Sequence, residues 1–211
     1  MKINYHRLME EEIRNIKKAG VKPSLLIHSC CAPCSTHVID VLSEFFEITV
    51  YFFNPNIFPE NEYHKRLEEQ IRLVKEMNLA YEVEVIGTEH EEETFYNAVK
   101  GLETIREGGE RCWECFELRL DRTAQYASEK NYDYFATTLT ISPLKNAQKI
   151  NELGIRLEER YHVKYLRSDF KKKEGFKKSV LLSEKHDLYR QDYCGCVYSK
   201  KEAEERMNEK N

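Results

Sequence analysis

Seven cysteines stand in three groups: HSCCAPC at residues 28–34, RCWEC at 111–115 and YCGC at 193–196. Thiolates bind soft metals and exchange with disulfides, so a surplus of them points to ligation or redox work. In RCWEC, Cys112 and Cys115 are three apart. If they open the helix implied by Phe116, Leu120 and Ala124, both thiols share one face. Such a pair suits zinc, one corner of an iron–sulfur cluster or a thioredoxin-like disulfide.

Adjacent cysteines behave differently, because successive side chains of extended backbone point to opposite faces. Cys30 and Cys31 converge on one centre only where the chain turns, and a cluster several ångströms across tolerates their divergence better than one tetrahedral ion. Cys34, near the start of the following helix, feels the positive end of the helix dipole, which favours the thiolate. In YCGC, Gly195 lets Cys194 and Cys196 approach closely, and a strained, labile disulfide there suits a redox pair. Coordination by the same pair is the competing reading. The plain alternative for the whole set is structural zinc with ordinary buried thiols, against which stand the unequal C-C, C-x-x-C and C-x-C spacings.

The elements that must position these groups alternate. The run PSLLIHS ends in small and polar residues, and Val38, Val41, Leu42 and Phe45 follow at helical spacing. FEITVYFF is a strand stopped by NPN, and Tyr63, Leu67, Ile71, Val74 and Met77 mark a long amphipathic helix. AYEVEVIG predicts a strand, residues 90–130 helices, YDYFATTLT a buried strand, LKNAQKINELGIRLEERY a helix and VKYLRS a short strand. Alternation at these lengths predicts an α/β fold, a parallel sheet with helices on both faces. Ligands of such sheets lie beyond the carboxyl ends of the strands, where the first cysteine group, NPN, TTLTISP and RSD all fall. We expect a single α/β domain over 1–211 with helical N- and C-terminal extensions.

No stretch reaches the roughly 18 apolar residues of a membrane span, and the N-terminus lacks a signal-type apolar segment, so a soluble cytoplasmic protein is expected. An odd cysteine count in that setting argues against a disulfide framework. Net charge is −4, which does not advertise nucleic-acid binding, yet residues 164–178 carry seven Lys or Arg against Asp169 and Glu174. That net of +5, interleaved with Tyr165, Phe170 and Phe176, suits a phosphate backbone and its bases, or else is a solvated face. His28 at a strand end reads as a hydrogen-bonded structural residue and Trp113 as packing. Tyr63, His64, Asp169 and Tyr193 are the polar residues near strand ends from which a general acid would come.

The ordered set HSCCAPCS, FFNPNIFPENEYHKRLEEQ, GERCWECFELRL, TTLTISPLKN, SDFKKKEGFKKS and YRQDYCGCVYS resembles the epoxyqueuosine reductase family QueH from about residue 24 to 200. The resemblance implies a Rossmann-like fold of the HUP, adenine nucleotide alpha hydrolase-like group, with the cysteine turn where relatives of that fold carry a phosphate loop. It implies two-electron reductive deoxygenation of the epoxide of epoxyqueuosine in tRNA to give queuosine. It further implies a [4Fe-4S] cluster on Cys30, Cys31, Cys112 and Cys115, a redox-active pair at Cys194 and Cys196, and Cys34 beside an additional iron ion. The expected partners are a tRNA, contacted by Arg167, Lys171, Lys172, Lys173, Lys177 and Lys178, and an electron donor the sequence does not identify. Rival readings are a nucleotide-dependent tRNA thiolase or pyrophosphatase on the same fold, and a zinc protein that binds RNA.

Overall fold

The computed structural model describes residues 3–209, so the outermost two residues at each end of the expected 1–211 unit lie outside the described residues. Helix α1 (Tyr5–Ala19) precedes β1 (Ser24–His28), α2 (Ala32–Leu42), β2 (Glu47–Phe52), α3 (Glu60–Glu76) and β3 (Glu84–Gly87). Two helices, α4 (Glu92–Ala98) and α5 (Glu110–Glu129), lead to β4 (Tyr134–Thr137), α6 (Ala147–Tyr161) and β5 (Lys164–Tyr165). Helices α7 (Gly175–Lys185) and α8 (Val197–Asn208) complete the chain. Among the described residues, no helix is long and apolar enough to cross a membrane.

The five strands are ordered β3-β2-β1-β4-β5 and every pairing is parallel. Central strand β1 is buried from Leu25 to His28 because both of its faces are covered. Leu25 and Ile27 join Met9 and Ile16 of α1 and Val38, Ile39 and Leu42 of α2 on one face. Leu26 points the other way, with Phe135, toward Phe116, Leu120 and Ala124 of α5 and Leu153 and Leu157 of α6. Each of these large apolar side chains contributes about 1.5–3 kcal/mol by leaving water. The alternating pattern therefore yields the two-faced α/β sheet that the sequence predicts.

Strand order reverses between β1 and β4, which opens the crevice of a doubly wound sheet at their carboxyl ends. One element differs from the sequence expectation. YDYFATTLT stays extended only to Thr137, then closes into a 3₁₀ turn over Thr138–Ile141, because the Thr137 hydroxyl accepts a hydrogen bond from the Leu139 amide at 3.1 Å. This ST-type turn diverts the chain across the crevice and starts α6 at the Asn146 cap.

Helix α6 reaches the sheet through Gly154, where a Cβ would lie 2.4 Å from the Tyr165 ring. Gly154→Ala is expected to destabilise the protein by about 1–3 kcal/mol through overpacking, read as a lower midpoint of thermal or urea unfolding. An unchanged midpoint would mean that the α6–β5 contact yields without cost.

Candidate metal centre

Three thiols meet at the β1–α2 junction. Cys31 is the N-cap of α2 in extended conformation (φ −169°), Pro33 occupies the first turn, and the Cys34 amide donates to the Cys31 carbonyl at 3.2 Å. Proline suits this place because its missing N–H has no partner in a first turn anyway. The turn brings the Sγ atoms of Cys30, Cys31 and Cys34 within 4.8 Å of one another, with 2.6 Å between those of Cys31 and Cys34. Among the described residues this is the only such gathering of three or more metal-binding side chains. Cys34 thus stands with Cys30 and Cys31.

The other two groups adjoin. Cys112 and Cys115 open α5, where Cys112 accepts a hydrogen bond from the Gly108 amide at 3.2 Å. Cys196 caps α8 and takes the Ser199 amide at 3.4 Å, while Cys194 is half-buried on the preceding turn. Cys194 and Cys196 bear electrostatically on Cys112 and Cys115, and Cys194, Cys30 and Cys34 on Lys145. All seven thiols are free.

The 193–196 turn is pinned from three sides. Arg66 donates to the Cys194 carbonyl at 3.1 Å, the Phe58 amide to the Gly195 carbonyl at 2.8 Å, and the Tyr193 hydroxyl to the Phe58 carbonyl at 2.6 Å. Gly195 has φ +145°, and a Cβ there would meet Asn56 Nδ2 at 3.1 Å and Ile57 at 3.2 Å. Only glycine combines that backbone with so close an approach.

Thiol chemistry follows from this crowding. Hydrogen bonds from Cys31 and Cys34 hold the Cys30 thiol well below its ordinary range. The same hydrogen bonding to an anionic Cys30 pushes Cys31 up to about 12 and Cys34 well up too. Burial pushes Cys115 up to about 12 and raises Cys112. One anion shared among three sulfurs is what such a cluster holds by itself; a bound cation lets the remaining thiols deprotonate. The surrounding shell fits a larger anionic group. Arg66 Nη2, Arg119 Nη2 and Gln70 Nε2 are buried donors without a protein partner, and buried donors of that kind are rare unless something else accepts from them. Gln70 uses its oxygen to accept from Ser29 and Ser35, each at 2.9 Å, beside the cysteine turn.

Two cavities meet at Lys145, and one of them is lined by thiols. One of about 210 Å³ is lined by Cys34, Ser142, Lys145, Phe176, Tyr193 and Cys194. The other, about 500 Å³, is lined by Tyr5, Lys145, Gln148, Asp169, Lys171 and Lys172. Lys145 borders both. Of the basic run, Arg167 pairs with Glu158 at 3.3 Å, Lys171 with Asp169 at 2.6 Å and Lys177 with Glu174 at 3.5 Å, while Lys173 pairs with Glu10. Lys172 faces the larger cavity, and Lys178 bears on His37.

His28 is structural, as its place at a strand end suggested. It is fully buried, with Nδ1 3.1 Å from Thr137 Oγ1 and Nε2 3.3 Å from Asn54 Oδ1. Burial, with the neighbouring Arg119 cation, lowers its pKa to about 3, so the ring is neutral. Trp113 is exposed rather than packed, with Lys149 Nζ 4.8 Å from its ring. Of the polar residues near strand ends, Tyr63 donates to the Thr88 carbonyl at 2.6 Å, His64 is an exposed partner of Glu60, and Asp169 is engaged by Lys171. Only Tyr193 among them lines the cavity with Cys34 and Cys194.

Sequence reasoning passed over Lys145, Arg66, Gln70 and Arg119. A signal for Arg119 was present: it follows Cys115 by four residues and Phe116 by three, which puts it on the buried stripe of α5.

The model of the family described as epoxyqueuosine reductase QueH matches residues 25–202. The epoxyqueuosine reductase QueH of Streptococcus pyogenes serotype M1 is 48% identical over 202 residues, covering 95% of this chain and 79% of that protein. Its namesake in Thermotoga maritima is 38% identical over 189 residues, covering 88% and 95%. A solved structure, the U34-tRNA thiolase NcsA from Methanococcus maripaludis with its [4Fe-4S] cluster, aligns at TM-score 0.52 and 13% identity over 96% of this chain and 72% of its own. That likeness concerns the fold alone. With the family match spanning both outer cysteine groups and the one between them, the chain belongs to the epoxyqueuosine reductase QueH family.

Proposed function

We propose that this protein reduces the epoxide of epoxyqueuosine in tRNA to the alkene of queuosine. The observation that carries the reading is the convergence of Cys30, Cys31 and Cys34 at the sheet's switch point, with four further thiols and unpartnered buried donors alongside. Cys30, Cys31, Cys112 and Cys115 would hold a [4Fe-4S] cluster, with Cys34 at its edge for an additional iron ion. Such a cluster supplies electrons one at a time at low potential.

The rest falls to the chain's own residues. Removing the oxygen breaks two C–O bonds, consumes two electrons and two protons, and releases water. Oxidation of the Cys194–Cys196 dithiol to a disulfide yields two electrons and two protons, so the two half-reactions balance. An outside reductant then restores the dithiol. The cavity of about 210 Å³ is the proposed seat of the modified base, because Cys194, Cys34 and the Lys145 ammonium all border it. Lys145 borders that cavity and would donate a hydrogen bond to the departing oxygen.

The tRNA backbone is proposed to cross the adjoining cavity and the 167–178 run, with Arg167, Lys171, Lys172, Lys173, Lys177 and Lys178 as its contacts. Bases of an anticodon loop need little unstacking to be splayed into a pocket. Lys172→Glu is expected to weaken tRNA binding about tenfold or more and flatten its salt dependence. Lys173→Glu is expected to do less, since Lys173 already pairs with Glu10. Filter binding across a salt series checks this; equal effects of the two would move the RNA path off the cavity.

We further read the chain as one α/β unit that works in the cytoplasm, where thiols stay reduced. Supporting the single unit, α1 contributes Met9 and Ile16 to the sheet's core, and α8 begins at the cysteine turn. The deciding experiment incubates anaerobically reconstituted protein with epoxyqueuosine tRNA and a chemical reductant, followed by nucleoside mass analysis. Queuosine formed without ATP is the expected result. Stoichiometric zinc as the sole metal after strictly anaerobic purification would overturn the cluster.

A further inference from the structure

Three arginines are almost fully buried, and they are balanced in different ways. Arg66 has Glu62 at 2.7 Å and Arg111 has Glu202 at 3.0 Å. Among the described residues, Arg119 has no carboxylate partner. Its Nε donates to the Cys115 carbonyl at 3.0 Å, its Nη1 reaches Asn54 Oδ1 at 3.5 Å, and its Nη2 has no partner. The guanidinium lies 5.4 Å from the Phe116 ring centroid. A buried cation needs opposite charge to offset its lost hydration, and the groups of that sign that bear on it most are thiols. Those bearing on it are Cys115, Cys30, Cys194 and Cys112, drawn from all three cysteine groups.

The side chain is also held in place. Thr137 Oγ1, already an acceptor for the Leu139 amide, has its proton free for His28 Nδ1; His28 Nε2–H then donates to Asn54 Oδ1, which receives Arg119 as well. Asn54 is fixed in turn by donating to the Ser29 carbonyl at 2.8 Å. The ends of β1, β2 and β4 thus steer one guanidinium from α5, and the neutral imidazole adds no charge of its own.

We infer that Arg119 is a positioning residue of the metal centre, a fixed internal counter-charge that makes the centre easier to reduce. The inference rests on the cluster reading above. A nearby positive charge stabilises the more negative, reduced state, so its removal drives the midpoint potential down. Arg119→Lys keeps the charge without the planar fork; Arg119→Gln keeps polarity and approximate length without the charge.

The test is a dye-mediated redox titration of the anaerobically reconstituted full chain, followed by electron paramagnetic resonance. Arg119→Gln is expected to shift the reduction equilibrium at least tenfold toward the oxidised form, which is about 59 mV for a one-electron couple. Arg119→Lys is expected to stay within a third of that shift. Cluster loss in Arg119→Gln with retention in Arg119→Lys supports the same conclusion by the requirement for charge. Equal potentials in wild type and Arg119→Gln, equal shifts in both variants, or loss of cluster or fold in both would overturn it in favour of a role set by shape. A wild-type protein that takes up no cluster defeats the function proposed above, a separate outcome visible before any variant is made.

Discussion

Alanine at Cys194 is expected to leave the visible spectrum of the reconstituted protein intact while lowering queuosine formation by at least a hundredfold. The two sulfurs of the pair have different surroundings. Cys194 is half-buried and borders the cavity with Cys34 and Lys145, whereas Cys196 is buried and serves as the helix cap of α8. On the proposed function Cys194 is the sulfur that meets substrate, and its truncation removes a side chain without disturbing a cap. Cys196→Ala deletes the acceptor for the Ser199 amide as well, so it should both abolish turnover and lower thermal stability by about 1 kcal/mol. Turnover by Cys194→Ala near the wild-type rate would make the pair structural. Loss of the spectrum together with turnover would instead make Cys194 a ligand.

On the proposed function, Cys34→Ser is expected to lower bound iron by the additional ion alone while Cys30→Ser removes the cluster, read by iron and sulfide analysis and by the visible spectrum. Its sulfur is 2.6 Å from that of Cys31 and belongs to the same gathered triplet. A serine hydroxyl is a hard and weakly acidic substitute for a thiolate. If iron content survives in Cys34→Ser but not in Cys112→Ser, the quartet of Cys30, Cys31, Cys112 and Cys115 holds the metal without help. If all the single variants keep it, the seven thiols are redundant as ligands.

Much of the frame was legible because its signals are local. The run LLIH in β1, the helical spacing after HSCCAPC and the cysteines at the head of α5 each follow from periodicity within one element. What escaped depends on partners distant in sequence. The basic run 164–178 looked like an open patch, yet Arg167 and Lys173 are met by Glu158 and by Glu10, the latter from α1 at the opposite end of the chain. Arg119 drew no reading at all, since composition cannot say that a helix arginine is buried without a carboxylate partner. The strand reading of TTLT overran because a threonine hydroxyl can compete with the sheet for an amide, and at Thr137 it wins.

The sheet order also sets a timetable. Ligand candidates at residues 30–34 leave the ribosome before those at 112 and 115, and these before the 194–196 pair. Between β1 and its neighbour β4 more than a hundred residues must be made before the crevice has a second wall. The Cys30 sulfur thus leaves the ribosome before the second strand that walls its crevice has been made. For a nascent chain, the interval is one of exposure to oxidants and stray metals, and the tempo of translation becomes part of how this centre is made correctly.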